Sequence, residues 1–109
     1  MVKVTIYKNR NQELKGFCCT GHAGYAVHGE DIVCAGVSVL VLNTINSIER
    51  FTEEEYDLET EESSGRIRFL LKGVPSEAAD LLLNSMILGL EGIRSSYGKK
   101  YVTLKFKEV

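Results

Sequence analysis

The order in which strand-like and helix-like segments follow one another restricts the fold of this chain more than any other feature. The strand-like segments alternate in polarity or lie between turn residues, and they cover residues 2–7, 14–20, 56–62, 66–71 and 101–107. The helix-like segments cover residues 32–50 and 76–97. The order strand-strand-helix-strand-strand-helix-strand predicts an α+β fold with two helices packed on a mainly antiparallel sheet.

Each predicted helix has a recognisable boundary and apolar face. Asp31 is a good N-cap for the first helix, and Gly98 is the expected end of the second. Apolar residues cover most of the circumference of the first helix, so a further layer or another subunit must cover what the sheet does not. The apolar stripe of the second helix is predicted at Ala78, Leu82, Ile87, Leu90 and Ile93.

Length and charge limit the class of protein. A chain of 109 residues suffices for one compact core, so we expect a single domain over residues 1–109. A net charge of -2 argues against sequence-independent binding of nucleic acid, which depends on excess Lys and Arg. Residues 1–10 show no signal peptide, and polar residues interrupt the apolar stretch 32–48, which predicts that it does not span a membrane. The expected location is the cytoplasm.

The cysteines are the candidate reactive groups. An odd number, three, in a reducing compartment predicts free thiols. Cys18 and Cys19 are neighbours on a predicted strand and therefore point to opposite faces, as packing residues would. Paired C-x-x-C spacing is missing, so neither a zinc site nor another metal or cofactor is expected.

Cys34 lies where a helix start can activate a thiol. With Asp31 as N-cap, Cys34 falls in the first turn, where unpaired N–H groups and the helix dipole favour the thiolate. His22 lies twelve residues upstream, across the glycine-rich loop 21–30, and can act as the base. His28 in the same loop is an alternative base.

The same residues also have ordinary structural interpretations. Cys34 can be a small buried apolar residue, and His22 can be a solvated loop residue. Asp31 can act only as a cap. Ser38, one turn after Cys34, can shape a pocket or bond back to its own helix. The residues alone leave these alternatives open.

The block from Gly21 to Ser38, G-H-A-G-Y-A-x-x-G-x-D-I-V-C-A-x-V-S, resembles the signature of the ribosomal-processing cysteine protease family. The resemblance implies a homodimeric endopeptidase that removes a short N-terminal extension from the large-subunit ribosomal protein numbered twenty-seven, cutting after an aromatic pair. It also implies residue roles: Cys34 as nucleophile, His22 as base, Gly21, Asp31 and Ser38 as supporting residues, and Gly24, Tyr25 and Gly29 as a mobile substrate loop.

Two further expectations concern partners. Residues 49–62 carry eight acidic side chains and one Arg, which indicates either a solvated edge or a surface that attracts a basic ribosomal protein.

The rival function is a non-catalytic ribosome-assembly module that binds a ribosomal protein or RNA. A mildly acidic chain without interleaved aromatic and basic residues disfavours the RNA version.

Overall fold

The protein was analysed as a computed structural model, which describes residues 1–21 and 28–109, with side chains from residue 32 onward in the second range. The described residues form strands β1 (Val2–Lys8), β2 (Leu14–Thr20), β3 (Tyr56–Glu61), β4 (Arg66–Leu71) and β5 (Val102–Glu108), and helices α1 (His28–Phe51) and α2 (Glu77–Tyr97). The strands form a sheet in the order β3-β4-β2-β1-β5. Only the β1–β5 pairing among them is parallel, so the predicted α+β class and mainly antiparallel sheet are confirmed.

The β1–β2 hairpin is fixed by an Asn turn and by a glycine at a crowded position. The Asn9 side-chain carbonyl accepts hydrogen bonds from the backbone N–H groups of Asn11 and Glu13, at 2.9 and 3.0 Å. Gly16 has a φ of 154°, and a Cβ there would lie 2.0 Å from the carbonyl oxygen of Phe69 on β4. Only glycine allows β2 and β4 to pair at this point.

Side-chain alternation gives the sheet a helix-facing side and an open face. Val4, Cys19 and Ile67 occupy neighbouring register positions on the helix-facing side. Thr5, Cys18 and Arg68 form the next row, which alternation places on the open face. The core lies between the helix-facing side and the two helices, with Phe17 and Phe69 stacked at 5.4 Å between ring centroids.

Helix α1 is the core helix. Its buried positions recur every three or four residues, as one helix face requires: Val33, Val37, Val41, Ile45 and Ile48. Among the described residues, the segment Ile32–Phe51 is long and apolar enough to cross a membrane, with a mean hydropathy of 1.6. The polar residues that interrupt this segment therefore do not exclude a membrane span by composition, contrary to the expectation from the sequence. Core helices of globular proteins satisfy the same test, and one face of this segment is buried in the core.

The start of α1 differs from the prediction. The helix begins at His28, so Asp31 is its fourth residue and cannot be its N-cap. Gly29, which was expected in a mobile loop, lies in the first turn. Acidic residues such as Asp31 are favoured near a helix N-terminus whether or not they cap it, which explains why the sequence signal was misplaced.

Helix α2 has the predicted ends but a partly different buried face. Ser76 caps its N-terminus, accepting a hydrogen bond from the N–H of Ala79 at 3.1 Å, and Gly98 ends it with a φ of 108°. The buried residues are Ala79, Leu83, Met86, Ile87 and Leu90. Ala78 is exposed, so this stripe assignment was wrong by one position, whereas Leu82 and Ile93 are half-buried and pack against the core.

Candidate active site

A cleft of about 380 Å³ opens between α1 and one end of the sheet. It lies where β1 and β4 begin and where β2 and β3 end. Its lining residues are Val2, Cys19, Gly21, Cys34, Val37, Ser38, Val41, Thr60, Glu61, Glu62, Gly65, Arg66 and Ile67. Candidate site residues from distant parts of the sequence therefore line the same cavity.

The cleft has an apolar floor and a helical wall. The register pairs Cys19 with Ile67 and Ile67 with Thr60, which places these three residues in one row across β2, β4 and β3. The wall is one face of α1, with Cys34, Val37, Ser38 and Val41 at helical spacing. The two surfaces hold Cys34 beside an apolar floor, at a half-buried position.

Gly21 and the β3–β4 turn close one end of the cleft. The Gly21 N–H donates a hydrogen bond to the carbonyl of Ser64 at 3.1 Å, which joins the end of β2 to the turn. Gly21 has a φ of 88°, and a Cβ there would lie 2.3 Å from the carbonyl oxygen of Met1. Both the backbone conformation and the space require glycine, so Gly21 supports the cleft through its backbone.

The three thiols differ in their burial and in their position relative to the cleft. All three cysteines are free. Cys19 is 6% exposed, and burial raises its pKa to about 11, with smaller contributions from Cys18 and Cys34. Cys18 lies on the open face, on the other side of the sheet from the cleft. Cys34 is the thiol that is both accessible and inside the cavity, so it is the one suited to nucleophilic attack.

The position of Cys34 within α1 corrects one part of the predicted chemistry. Cys34 is the seventh residue of α1 and so lies in its second turn, not its first. In an α-helix the N–H of such a residue is bonded to the carbonyl four residues earlier. The effect of the helix dipole also falls off beyond the first turn. The helix start therefore provides less activation of Cys34 than the sequence suggested.

The remaining predicted residues have different outcomes. Ser38 lines the cleft one turn from Cys34, and its hydroxyl has no hydrogen-bond partner among the described residues, which favours the pocket over a bond to its own helix. His22, Gly24 and Tyr25 lie outside the described residues, and so do the side chains of His28 and Asp31. The roles assigned to them remain predictions.

The β3–β4 hairpin contributes to the cleft, which was not predicted from the sequence. Thr60, Glu62, Arg66 and Ile67 line it, although they lie far from Cys34 in the sequence. The acidic run was visible in the sequence, but its position beside the thiol depends on the pairing of β4 with β2. Long-range pairing of this kind has no local sequence signal.

An accessible thiol in an apolar cleft is the arrangement that a cysteine-dependent hydrolase needs for its nucleophile. A sequence model described as Cysteine protease Prp matches residues 1–103. The chain belongs to this family. The enzyme class expected from the sequence, a cysteine protease, is thereby confirmed.

Relatives and solved structures agree along nearly the whole chain. The ribosomal processing cysteine protease Prp of Bacillus subtilis is 34% identical over 101 residues, which cover 89% of this chain and 90% of that protein. The Staphylococcus aureus Prp structure with a substrate peptide has a TM-score of 0.90 at 27% identity, covering 98% of this chain and all of that one. A second S. aureus structure, with a covalently linked product peptide, has a TM-score of 0.87 at 28% identity and the same coverage.

Proposed function

We propose that this chain is a ribosomal-processing endopeptidase of the cytoplasm, with Cys34 as nucleophile and His22 as general base. We infer as its substrate the precursor of the large-subunit ribosomal protein numbered twenty-seven, cut after an aromatic pair to remove a short N-terminal extension. The observation that carries the proposal is the separation of the thiols. Cys34 is in the cleft, while Cys19 is buried with a raised pKa and Cys18 is on the opposite side of the sheet.

A thiol and an imidazole together can hydrolyse a peptide bond through a thioester intermediate. His22 takes the proton of the Cys34 thiol, and the Cys34 sulfur attacks the carbonyl carbon of the scissile peptide bond. The C–N bond then breaks, His22 returns the proton to the leaving amine, and a thioester remains on Cys34. Water hydrolyses the thioester and regenerates the thiol. The covalently linked product peptide in the S. aureus relative supports a covalent mechanism.

Because α1 begins at His28, the N–H groups of its first turn lie before Cys34, and a different group must hold the oxyanion. The N–H of Cys34 is engaged within α1, so another donor is needed. The Ser38 hydroxyl faces the same cleft without a partner among the described residues. We therefore assign Ser38 a supporting role at the oxyanion, in place of the helix terminus.

The cleft suits an aromatic substrate residue. Val37, Val41 and Ile67 give it apolar walls. Its volume of about 380 Å³ lies near the lower end of the usual range for small-ligand pockets, which is enough for one or two side chains. An aromatic ring buried there gains hydrophobic free energy and brings the following peptide bond to the thiol.

The acidic run supports encounter with a basic substrate. Glu61 and Glu62, at the end of the run 49–62, line the cleft, so the negative charge is close to the site of reaction. Charges of this kind raise the association rate of an oppositely charged protein, and salt screens them.

The uncovered apolar surface of the helices supports a homodimer. Val39 on α1 is 67% exposed, and Leu81 and Leu88 on α2 are 70% and 72% exposed. These residues lie outside the faces that pack on the sheet, as the sequence predicted for α1. A second copy of the chain can bury them, because homodimer interfaces are typically apolar.

The direct experiment is incubation with the extended ribosomal protein, followed by intact-mass measurement. The expected result is loss of the extension with wild-type protein and with Cys18→Ala, and no loss with Cys34→Ala. Binding of the extended protein without any mass change would instead favour the non-catalytic ribosome-assembly module.

A further inference from the structure

The open face of the sheet carries cationic side chains on β1, β4 and β5 and acidic ones on the edge strand β3. On β1, β2, β4 and β5, alternation assigns this face the following residues: Lys3, Thr5, Tyr7, Gly16, Cys18, Thr20, Arg66, Arg68, Leu70, Thr103, Lys105 and Lys107. These residues include cationic side chains and no acidic ones, whereas the edge strand β3 adds Asp57, Glu59 and Glu61 to the same face, opposite Leu70, Arg68 and Arg66. None of the non-glycine residues that the four strands place on this face is buried. We call the part of this surface formed by β1, β2, β4 and β5 the basic sheet face. It lies on the opposite side of the sheet from the helices.

Most of these cations have no counter-ion among the described residues. Arg66 pairs with Glu59 of the edge strand β3 at 3.5 Å. Within the described part of the chain, no ion pair is formed by Lys3, Arg68, Lys105 or Lys107. The net charge of -2 therefore averages over the acidic run at residues 49–62, part of which borders this surface on β3, and the cations of the neighbouring strands. The charge argument against nucleic acid applies to the chain as a whole and not to this surface.

One cation on the face is combined with an aromatic ring. The Arg68 guanidinium lies over the ring of Tyr7, 5.6 Å from its centroid. A guanidinium held on a ring offers a flat cationic surface. Unpaired RNA bases stack on such planes, while neighbouring Lys side chains contact the phosphates. An acidic peptide would use the charges but would have no need of the plane.

We propose that the basic sheet face binds single-stranded RNA. Lys3, Lys105 and Lys107 would contact phosphates, and the Arg68–Tyr7 pair would stack a base. None of the side chains named for RNA contact lines the cleft, so RNA bound there would leave the cleft free. A protein whose substrate is an RNA-binding protein could then engage the substrate and its RNA on different surfaces. That last point rests on the proposed function, whereas RNA binding itself does not.

The test measures fluorescence anisotropy of a labelled oligouridine of about twelve nucleotides, with salt between about 50 and 200 mM. With four cationic contacts, the slope of log K against log salt should be about -3, and affinity should fall roughly fiftyfold over that range. The double variant Lys105→Gln/Lys107→Gln should reduce the slope to about -1.4. The matched control Lys99→Gln/Lys100→Gln removes the same charge from the turn before β5 and should leave the slope unchanged.

A charge-conserving variant tests the base-stacking surface. Arg68→Lys keeps the charge but removes the plane, so it should weaken oligouridine binding about tenfold without changing the salt slope. Equal slopes for the two double variants would overturn the proposal. So would polyglutamate binding as tightly as oligouridine, which would indicate an acidic protein partner. All variants should retain peptidase activity, so loss of RNA binding and failure of the proposed function remain distinguishable.

Discussion

Iodoacetamide at neutral pH should alkylate the three cysteines at very different rates, with Cys34 first and Cys19 last. The reagent reacts with the thiolate, so the rate depends on the thiolate fraction and on access to the sulfur. Burial raises the pKa of Cys19 from 9.0 to about 11. This shift lowers its thiolate fraction at neutral pH by about a hundredfold relative to an ordinary thiol. Because Cys19 is only 6% exposed, the reagent has little access to its sulfur, and this slows the reaction further.

The other two thiols are half-buried, so the difference between them tests the site itself. Cys34 lines the cleft and has His22 as its proposed base, whereas Cys18 lies on the open face. Cys34 should react before Cys18 at mildly acidic pH, where a charged imidazole favours the thiolate. His22→Ala should move the pH profile of Cys34 labelling toward that of an ordinary thiol.

The assay requires site-resolved detection. All three cysteines lie between Lys15 and Arg50, with no Lys or Arg in between, so trypsin leaves them in one peptide. Fragment-ion spectra must therefore assign each label. Labelling in denaturant, where the three rates should converge, is the control. Labelling of Cys18 ahead of Cys34 in the folded protein would refute the nucleophile assignment, and rapid labelling of Cys19 would refute the burial argument.

Four further outcomes are expected. Gly16→Ala should cost about 3 kcal/mol or more of unfolding free energy in urea titrations, because its Cβ would overlap the neighbouring backbone. The raised pKa of Cys19 favours the native thiol, so stability present below pH 9.0 should fall by up to about 3 kcal/mol as the pH rises to about 11, and Cys19→Ala should remove this fall. Replacing Glu53, Glu54 and Glu55 with Gln should lower kcat/KM at low salt and matter less at high salt; unchanged low-salt kinetics would return this run to a solvated edge. Light scattering at low micromolar concentration should give twice the monomer mass of 12.1 kDa, and a monomer mass would argue against the dimer.

The strands, the hairpins and the ends of the second helix, which depend on a local residue pattern, were predicted correctly from the sequence. Alternating residues such as Val2, Val4 and Ile6 face the core as expected, and both hairpins lie where turn residues placed them. Ser76 and Gly98 bound the second helix because caps act within one turn. These signals depend only on neighbours in the chain.

The errors and omissions have two physical causes. Polar residues before Ile32 concealed the true start of α1, because Asp31 is as favourable inside the first turn as at the cap. Strand pairing has no local signal, so the sequence did not reveal that Ile67 would face Cys34 across the cleft. The thiol itself was identified by its motif, whereas the walls around it required the sheet order.

The parallel pairing of β1 with β5 also determines when the domain can be completed. Val2 pairs with Val102, so the strand formed first in the chain must wait for the strand formed last. Bringing β1 and β5 together closes a loop of nearly the whole chain. The entropy lost in closing this loop is compensated only after the strands have paired, and folding is therefore slow. During synthesis the β1–β2 hairpin would expose an unpaired edge until β5 emerges. The outer edge of β1 is then the surface on which a nascent chain is most open to mispairing with another.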